Sequence, residues 1–250
     1  YLRPNLMATV CTRRHEERDM KTIGLIGGMS WESTVVYYQL LNRMARERLG
    51  GLHSARVLMW SFDFADIEAL QAAGDWEGAS TAMVDVARAL ERGGAECLLI
   101  CTNTMHKMAL QVQQAVDIPL LHIADATAAA IKAGGVVKPL LLATRYTMEQ
   151  DFYTGRLRDT HGIDVRLPDD AGRTAVHDII YAELCQGIIK PSSKQAYAAV
   201  VARARAAESV DGVIFGCTEV GLLLRPQDFC VACFDTTQIH ARAAIDFALG

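Results

Sequence analysis

Along this chain, short apolar runs of three to five residues alternate with longer stretches in which apolar residues return every three or four positions. The first pattern reads as buried strands and the second as amphipathic helices. A strand over 22–26 is followed by Ser30, a capping residue type, and by a helix with Tyr37, Leu40, Leu41 and Met44 on one face. Gly50-Gly51 closes that helix. Strands are predicted at 56–60 and 98–101, with a helix over 81–92 between them that ends at Gly93-Gly94. A helix over 104–116 turns Met105, Met108 and Val112 inward, and a strand over 119–123 and a helix over 125–133 come next. The series restarts with strands at 139–143, 163–167, 213–215 and 231–234, joined by helices. Alternation of this kind predicts an α/β fold with parallel sheets and helices on both faces.

The restart is an internal echo. Thr102 follows the strand ending at Gly27 by about 75 positions, and Cys217 follows the strand ending at Ala143 by nearly the same interval. Segment 23–30 corresponds to 140–147, and 98–104 to 213–219. Two similar half-chains predict two lobes related by a pseudo-twofold axis, with equivalent strand ends facing each other across a cleft. Ligands of open α/β sheets bind at those carboxyl ends.

Composition narrows the class. The chain has 250 residues, half of them apolar, and a formal net charge of -4. That balance predicts neither nucleic-acid nor anionic-membrane binding, and no apolar run approaches a membrane span. Seven cysteines without a visible secretory leader suggest reduced thiols and a cytoplasmic protein. Cys230 and Cys233 have CxxC spacing, but they sit in an apolar run with no second pair and read as filler. His53, His122, His177 and His240 are scattered singly, so no metal site is expected. Residues 1–19 lack apolar periodicity, are rich in Arg and Glu, and read as a disordered extension ahead of Met20.

Four strand-end segments carry the candidate chemistry. Val213-Ile214-Phe215-Gly216-Cys217-Thr218-Glu219 presents a thiol beside a hydroxyl and a carboxylate, groups suited to acid/base work. Glu219 would orient the thiol or bind an ammonium group. Cys101-Thr102-Asn103-Thr104-Met105-His106 is its counterpart. Side chains alternate along a strand, so Cys101 and Thr102 cannot both enter the cleft. Gly27-Gly28-Met29-Ser30 lies between strand and helix and suits a small carboxylate, without the pattern of a nucleotide loop. Thr144 and Thr147 occupy the equivalent turn of the second half, with Arg145 between them.

Phe215-Gly216-Cys217-Thr218-Glu219-Val220-Gly221 resembles the second-half cysteine signature of the aspartate/glutamate racemase family. Thr102-Asn103-Thr104-Met105-His106 resembles its first-half signature, and 23–30 its opening glycine turn. The resemblance implies two Rossmann-like lobes, 20–117 plus 226–250 and 118–225, with the active site between them. It also implies a homodimer that inverts a small-molecule amino acid without pyridoxal phosphate or metal. Two groups on opposite faces of Cα then exchange its proton: Cys217 as base for the L-enantiomer and Thr102 reprotonating the other face. Met29, Ser30, Asn103, Thr104, Thr144 and Thr218 would hold the α-carboxylate. Most relatives carry cysteine in both catalytic slots. Threonine in the first is a far weaker base than a thiol with its reference pKa of about 8.5, so a weak reaction from the D-enantiomer is expected. The choice between L-aspartate and L-glutamate stays open. So do an arylmalonate-decarboxylase-like or maleate-isomerase-like reaction at a one-cysteine site, and an amino-acid-binding protein without turnover.

Overall fold

The computed structural model describes residues 20–250; the extension expected at 1–19 lies outside the described residues. The first half runs β1 (Ile23–Gly27), α1 (Trp31–Leu49), β2 (Val57–Ser61), α2 (Phe64–Ala73), α3 (Trp76–Arg92), β3 (Cys97–Ile100), a 3₁₀ turn (Thr104–Met108) and α4 (Ala109–Gln114). The second runs α5 (Ile123–Ala133), β4 (Pro139–Leu142), α6 (Arg145–Glu149), α7 (Asp151–His161), α8 (Asp170–Ala182) and a 3₁₀ turn (Leu184–Gln186). It continues through α9 (Pro191–Glu208), β5 (Gly212–Phe215), α10 (Val220–Leu223), β6 (Ala232–Asp235) and α11 (Thr236–Leu249).

Two parallel three-stranded sheets form, ordered β2-β1-β3 and β4-β5-β6. Every residue of β1, β3, β4 and β5 is buried, as expected of parallel strands covered on both faces. The helices complement them by periodicity. In α3, Ala79, Met83, Val86, Ala87 and Leu90 form one buried stripe, and the Asp75 side chain caps the first turn through Gly78 N–H.

The stretches 119–123 and 163–167 contribute one parallel bridge each, Leu98 to Leu120 and Leu140 to Arg166, rather than full strands. With those bridges the two sheets share one spatial order. Leu120 extends the first sheet beyond β3 as β6 extends the second beyond β5, and Arg166 flanks β4 as β2 flanks β1. This is the two-lobed symmetry that the internal echo implies. The helix predicted over 104–116 begins instead as a 3₁₀ turn, with α4 starting only at Ala109.

The lobe boundary needs one correction. The last strand does not complete the first lobe: β6 pairs in parallel with β5, and Phe234 lies in the second core. Conversely 118–122 runs beside β3 in the first sheet. The crossover falls in the helices that follow each of these segments. Ile123, Ala124, Ala128 and Ile131 of α5 enter the second core, while Ala241, Ala244, Ile245 and Ala248 of α11 enter the first. A parallel strand adds to the sheet already at its edge, whereas a helix needs only a complementary apolar face. The helix is therefore the element free to cross.

Candidate functional site

The carboxyl ends of β1, β3, β4 and β5 converge between the lobes. Glycine permits the approach at two points. Gly28 has φ 83°, and a Cβ there would lie 2.3 Å from the Phe62 backbone. A Cβ on Gly216 would meet Leu141 at 2.3 Å. Between these turns lies a small cavity lined by Met29, Thr102, Asn103, Thr104, Thr144, Gly216, Cys217 and Glu219 from strand ends. Phe64, Gln71, Ile180, Tyr181 and Cys185 complete the wall from helices. It holds about 20 Å³, room for about one water molecule at ~10–15 Å³ each. The lobes thus leave little free space between the strand ends.

Cys217 and Thr102 come from matching strand ends of different lobes and line the same cavity. Cys217 Sγ lies 2.8 Å from Glu219 Oε2. Burial, and then the Glu219 charge, push the thiol well above its ordinary pKa, so at rest it is protonated and donates to the carboxylate. Glu219 is 2 % exposed. It also accepts from Thr218 Oγ1 at 2.9 Å and from Ser30 Oγ at 2.8 Å. Ser30 N–H adds a long bond of 3.4 Å across the lobes. Ser30 and Thr218 therefore serve Glu219 rather than the cavity wall, which neither of them lines.

Thr104 and Thr144 face each other across the lobes at 3.0 Å, with Thr147 at 3.4 and 3.2 Å from them. Thr147 stands behind the wall and Thr144 caps α6. Asn103 was expected to hold a carboxylate. Its side chain makes no cap, and its Nδ2 donates to Thr236 Oγ1 at 3.1 Å. Its buried Oδ1 has no partner, leaving an acceptor in the wall. Arg145 stands outside the cavity, paired with Glu149 at 3.0 Å. Cys101 points away into the first core, where burial raises its pKa. That settles which residue of the Cys101-Thr102 pair reaches the cavity.

The sequence reading did not single out Gln71 and Tyr181 as site residues, because they lie in no strand-end motif. It also missed a histidine cluster behind Thr102. His106 is 2 % exposed. Its Nδ1 bonds Thr102 O at 2.7 Å, and its Nε2 accepts from Ile123 N–H at 3.2 Å. The second bond leaves the proton on Nδ1, which donates to the carbonyl beside the cavity. The rings of His122 and His240 pack 4.6 and 5.7 Å from it. His240 bonds Leu121 O at 2.7 Å and Tyr37 Oη at 2.9 Å. Together they tie β3, the crossing segment, α1 and α11.

Burial holds all three histidines neutral: His106 well below its usual value, His122 down to about 3 and His240 to about 4. The unfolded chain takes up their protons near pH 6.5 and the folded chain only far below. Their contribution to stability is therefore whole above pH 6.5 and lost progressively as pH falls toward 4 and 3. At pH 5 this costs about 2 kcal/mol for each fully buried ring. The melting temperature should drop between pH 7 and pH 5, and less in His240→Asn; a flat profile excludes neutral burial.

Among the described residues there is no cluster of three metal-ligating side chains, and no helix is long and apolar enough to cross a membrane. The Asp/Glu/Hydantoin racemase family model matches residues 26–244. The crystal structure of a "putative Asp/Glu Racemase" from Yersinia pestis is 55% identical, covers 92% of this chain and all of its own, and superposes with a TM-score of 0.85. An aspartate racemase homologue from Pyrococcus horikoshii OT3 is 36% identical over 92% of this chain and all of its own, with a TM-score of 0.80. The aspartate racemase of Picrophilus torridus, 23% identical over 91% of this chain and 94% of its own, shares the fold at a TM-score of 0.74. With a matched family model over most of its length, and two lobes that close on a strand-end cavity, the chain belongs to the Asp/Glu/Hydantoin racemase family.

Proposed function

We propose that this racemase inverts L-aspartate or L-glutamate without a cofactor, with Cys217 and Thr102 acting on opposite faces of Cα. One observation carries the reading: a thiol and a hydroxyl from equivalent strand ends of the two lobes line one cavity, and the thiol donates to a buried carboxylate. The unpartnered Asn103 Oδ1 accepts from the substrate's α-ammonium group. The Thr104 and Thr144 hydroxyls, bonded to each other across the lobes, turn to the α-carboxylate, with Thr147 supporting them. Met29 completes the wall on the first-lobe side. Glu219 Oε2 takes the thiol proton, and the sulfur then removes the proton from Cα. Ser30 and Thr218 hold the carboxylate in place for that transfer. Thr102 Oγ1 delivers a proton to the other face, and water afterwards relays the proton held by Glu219 to the Thr102 oxygen, which restores both groups. Donors fixed in a water-poor cavity stabilise the carbanion more than bulk water does. The low acidity of an α C–H bond requires this.

Incubation of the chain with L-aspartate or L-glutamate in D₂O should give racemisation, read by circular dichroism, with deuterium incorporated at Cα. Conversion to a different product would favour decarboxylase-like or isomerase-like chemistry, and binding without exchange a binding protein.

The same reading includes a homodimer. Trp31 is 63% and Tyr38 51% exposed on α1, beside Met59, 51% exposed on the edge strand β2. An apolar patch beside an unpaired edge suits a second copy of this chain. Sedimentation should show a dimer that Met59→Glu dissociates; a monomeric parent chain excludes it.

A further inference from the structure

Two wall residues have no part in the chemistry at Cα. Gln71 comes from α2 in the first lobe and Tyr181 from α8 in the second. Both line the cavity. Tyr181 Oη donates to Gln71 Oε1 at 3.0 Å, closing the helical wall across the lobes. Gln71 is 4% exposed, and the hydrogen bond from its Nε2 goes to Met105 Sδ at 3.1 Å. A thioether is a weak acceptor. An amide with two N–H groups is thus buried at the cavity against a partner that satisfies it poorly, which is costly unless a better acceptor arrives. Phe64 stacks beside Tyr181, with ring centres 6.5 Å apart, and fixes the phenol. None of the residues lining the cavity is Lys, Arg or His, and Glu219 is the acidic residue among them.

The strand ends supply the groups for the amino, carboxyl and hydrogen substituents of Cα, so the remaining substituent faces the helices. We infer that Gln71 and Tyr181 are the specificity-determining pair that receives the end of the substrate side chain. When substrate binds, a side-chain carboxylate replaces the Tyr181–Gln71 bond. It then accepts from the phenol O–H and the amide N–H together. Recognition is by neutral donors rather than by an ion pair, so the side chain is selected as a hydrogen-bond acceptor. This rests on the acidic-substrate reading above.

The test compares kcat/KM for L-aspartate, L-glutamate, L-asparagine and L-glutamine in the parent chain and in Gln71→Glu. A glutamate at 71 offers only acceptors when ionised. It repels a carboxylate and accepts from the N–H groups of a side-chain amide. The ratio of acidic to amide substrates should fall by on the order of 100-fold, since a site built to hydrogen-bond one group discriminates strongly against its mismatch. An unchanged ratio in a folded variant overturns the pair's role while leaving the acidic-substrate reading intact. A parent chain inactive on both acidic substrates overturns that reading, and this inference with it. If Gln71→Glu does not fold, Tyr181→Phe carries the test. It should raise KM for acidic substrates about tenfold, more than it lowers kcat, as expected when a ground-state contact is removed. An unaltered KM overturns the assignment.

Discussion

Cys217→Ser is expected to lower kcat for L-aspartate and L-glutamate by about 10²–10⁴-fold, the range associated with a positioned acid or base. Deuterium uptake at Cα should fall with it, because the sulfur is proposed to break the C–H bond itself. Serine keeps the size and the hydrogen bond to Glu219, so the lobes and the melting temperature should change little. The parent thiol is pushed up by burial and by Glu219. It becomes a base only by passing its proton to that carboxylate 2.8 Å away. A serine hydroxyl makes the same transfer far less readily. Exchange that survives undiminished in Cys217→Ser would remove Cys217 from the role of base, whatever else the cavity does.

The second large effect concerns Thr102. Enantiomers have equal free energy, so kcat/KM must be the same from either side. The weak D-direction expected of a threonine can therefore appear only as a lower kcat matched by a lower KM. At saturation the D-enantiomer should turn over more slowly by about tenfold or more, if its complex with the Thr102 enzyme lies over ~1.4 kcal/mol below that of the L-enantiomer. Thr102→Cys places a second thiol at the end of β3 and should bring the two kcat values together. The Nδ1–H of His106 holds the Thr102 carbonyl and not its side chain, so the new thiol should keep the hydroxyl's position. Equal kcat for both enantiomers in the parent chain would mean that Thr102 is not the limiting group.

Some of this was readable from the chain because it depends on local pattern. Uninterrupted apolar runs such as 97–100 and 212–215 make buried parallel strands, and Ala79, Met83, Val86 and Leu90 make one face of a helix. The repeated interval between strand ends foretold two equivalent lobes, and the motifs after β3 and β5 marked the residues that meet in one cavity. Side-chain alternation put Thr102 and Cys101 on different faces, and the structure shows which face is which.

Other features depended on neighbours that no local pattern specifies. The preference of β6 for the second sheet is set by the open edge of β5, so the lobe boundary could not be read from 226–235. Asn103 looked like a donor, but Thr236 occupies its amide nitrogen and leaves the oxygen buried without a partner. Ser30 looked like a substrate ligand, but Glu219, on the other lobe, takes its hydroxyl. His122 and His240 read as isolated residues until the crossing of α5 and α11 packed their rings against His106. Sequence alone determined the elements, the twofold plan and the strand ends where chemistry is concentrated, because backbone periodicity and burial are local properties. Only the tertiary structure decided which polar groups bond one another and which remain for a ligand, because a buried donor or acceptor is assigned by whatever the fold brings within about 3 Å of it.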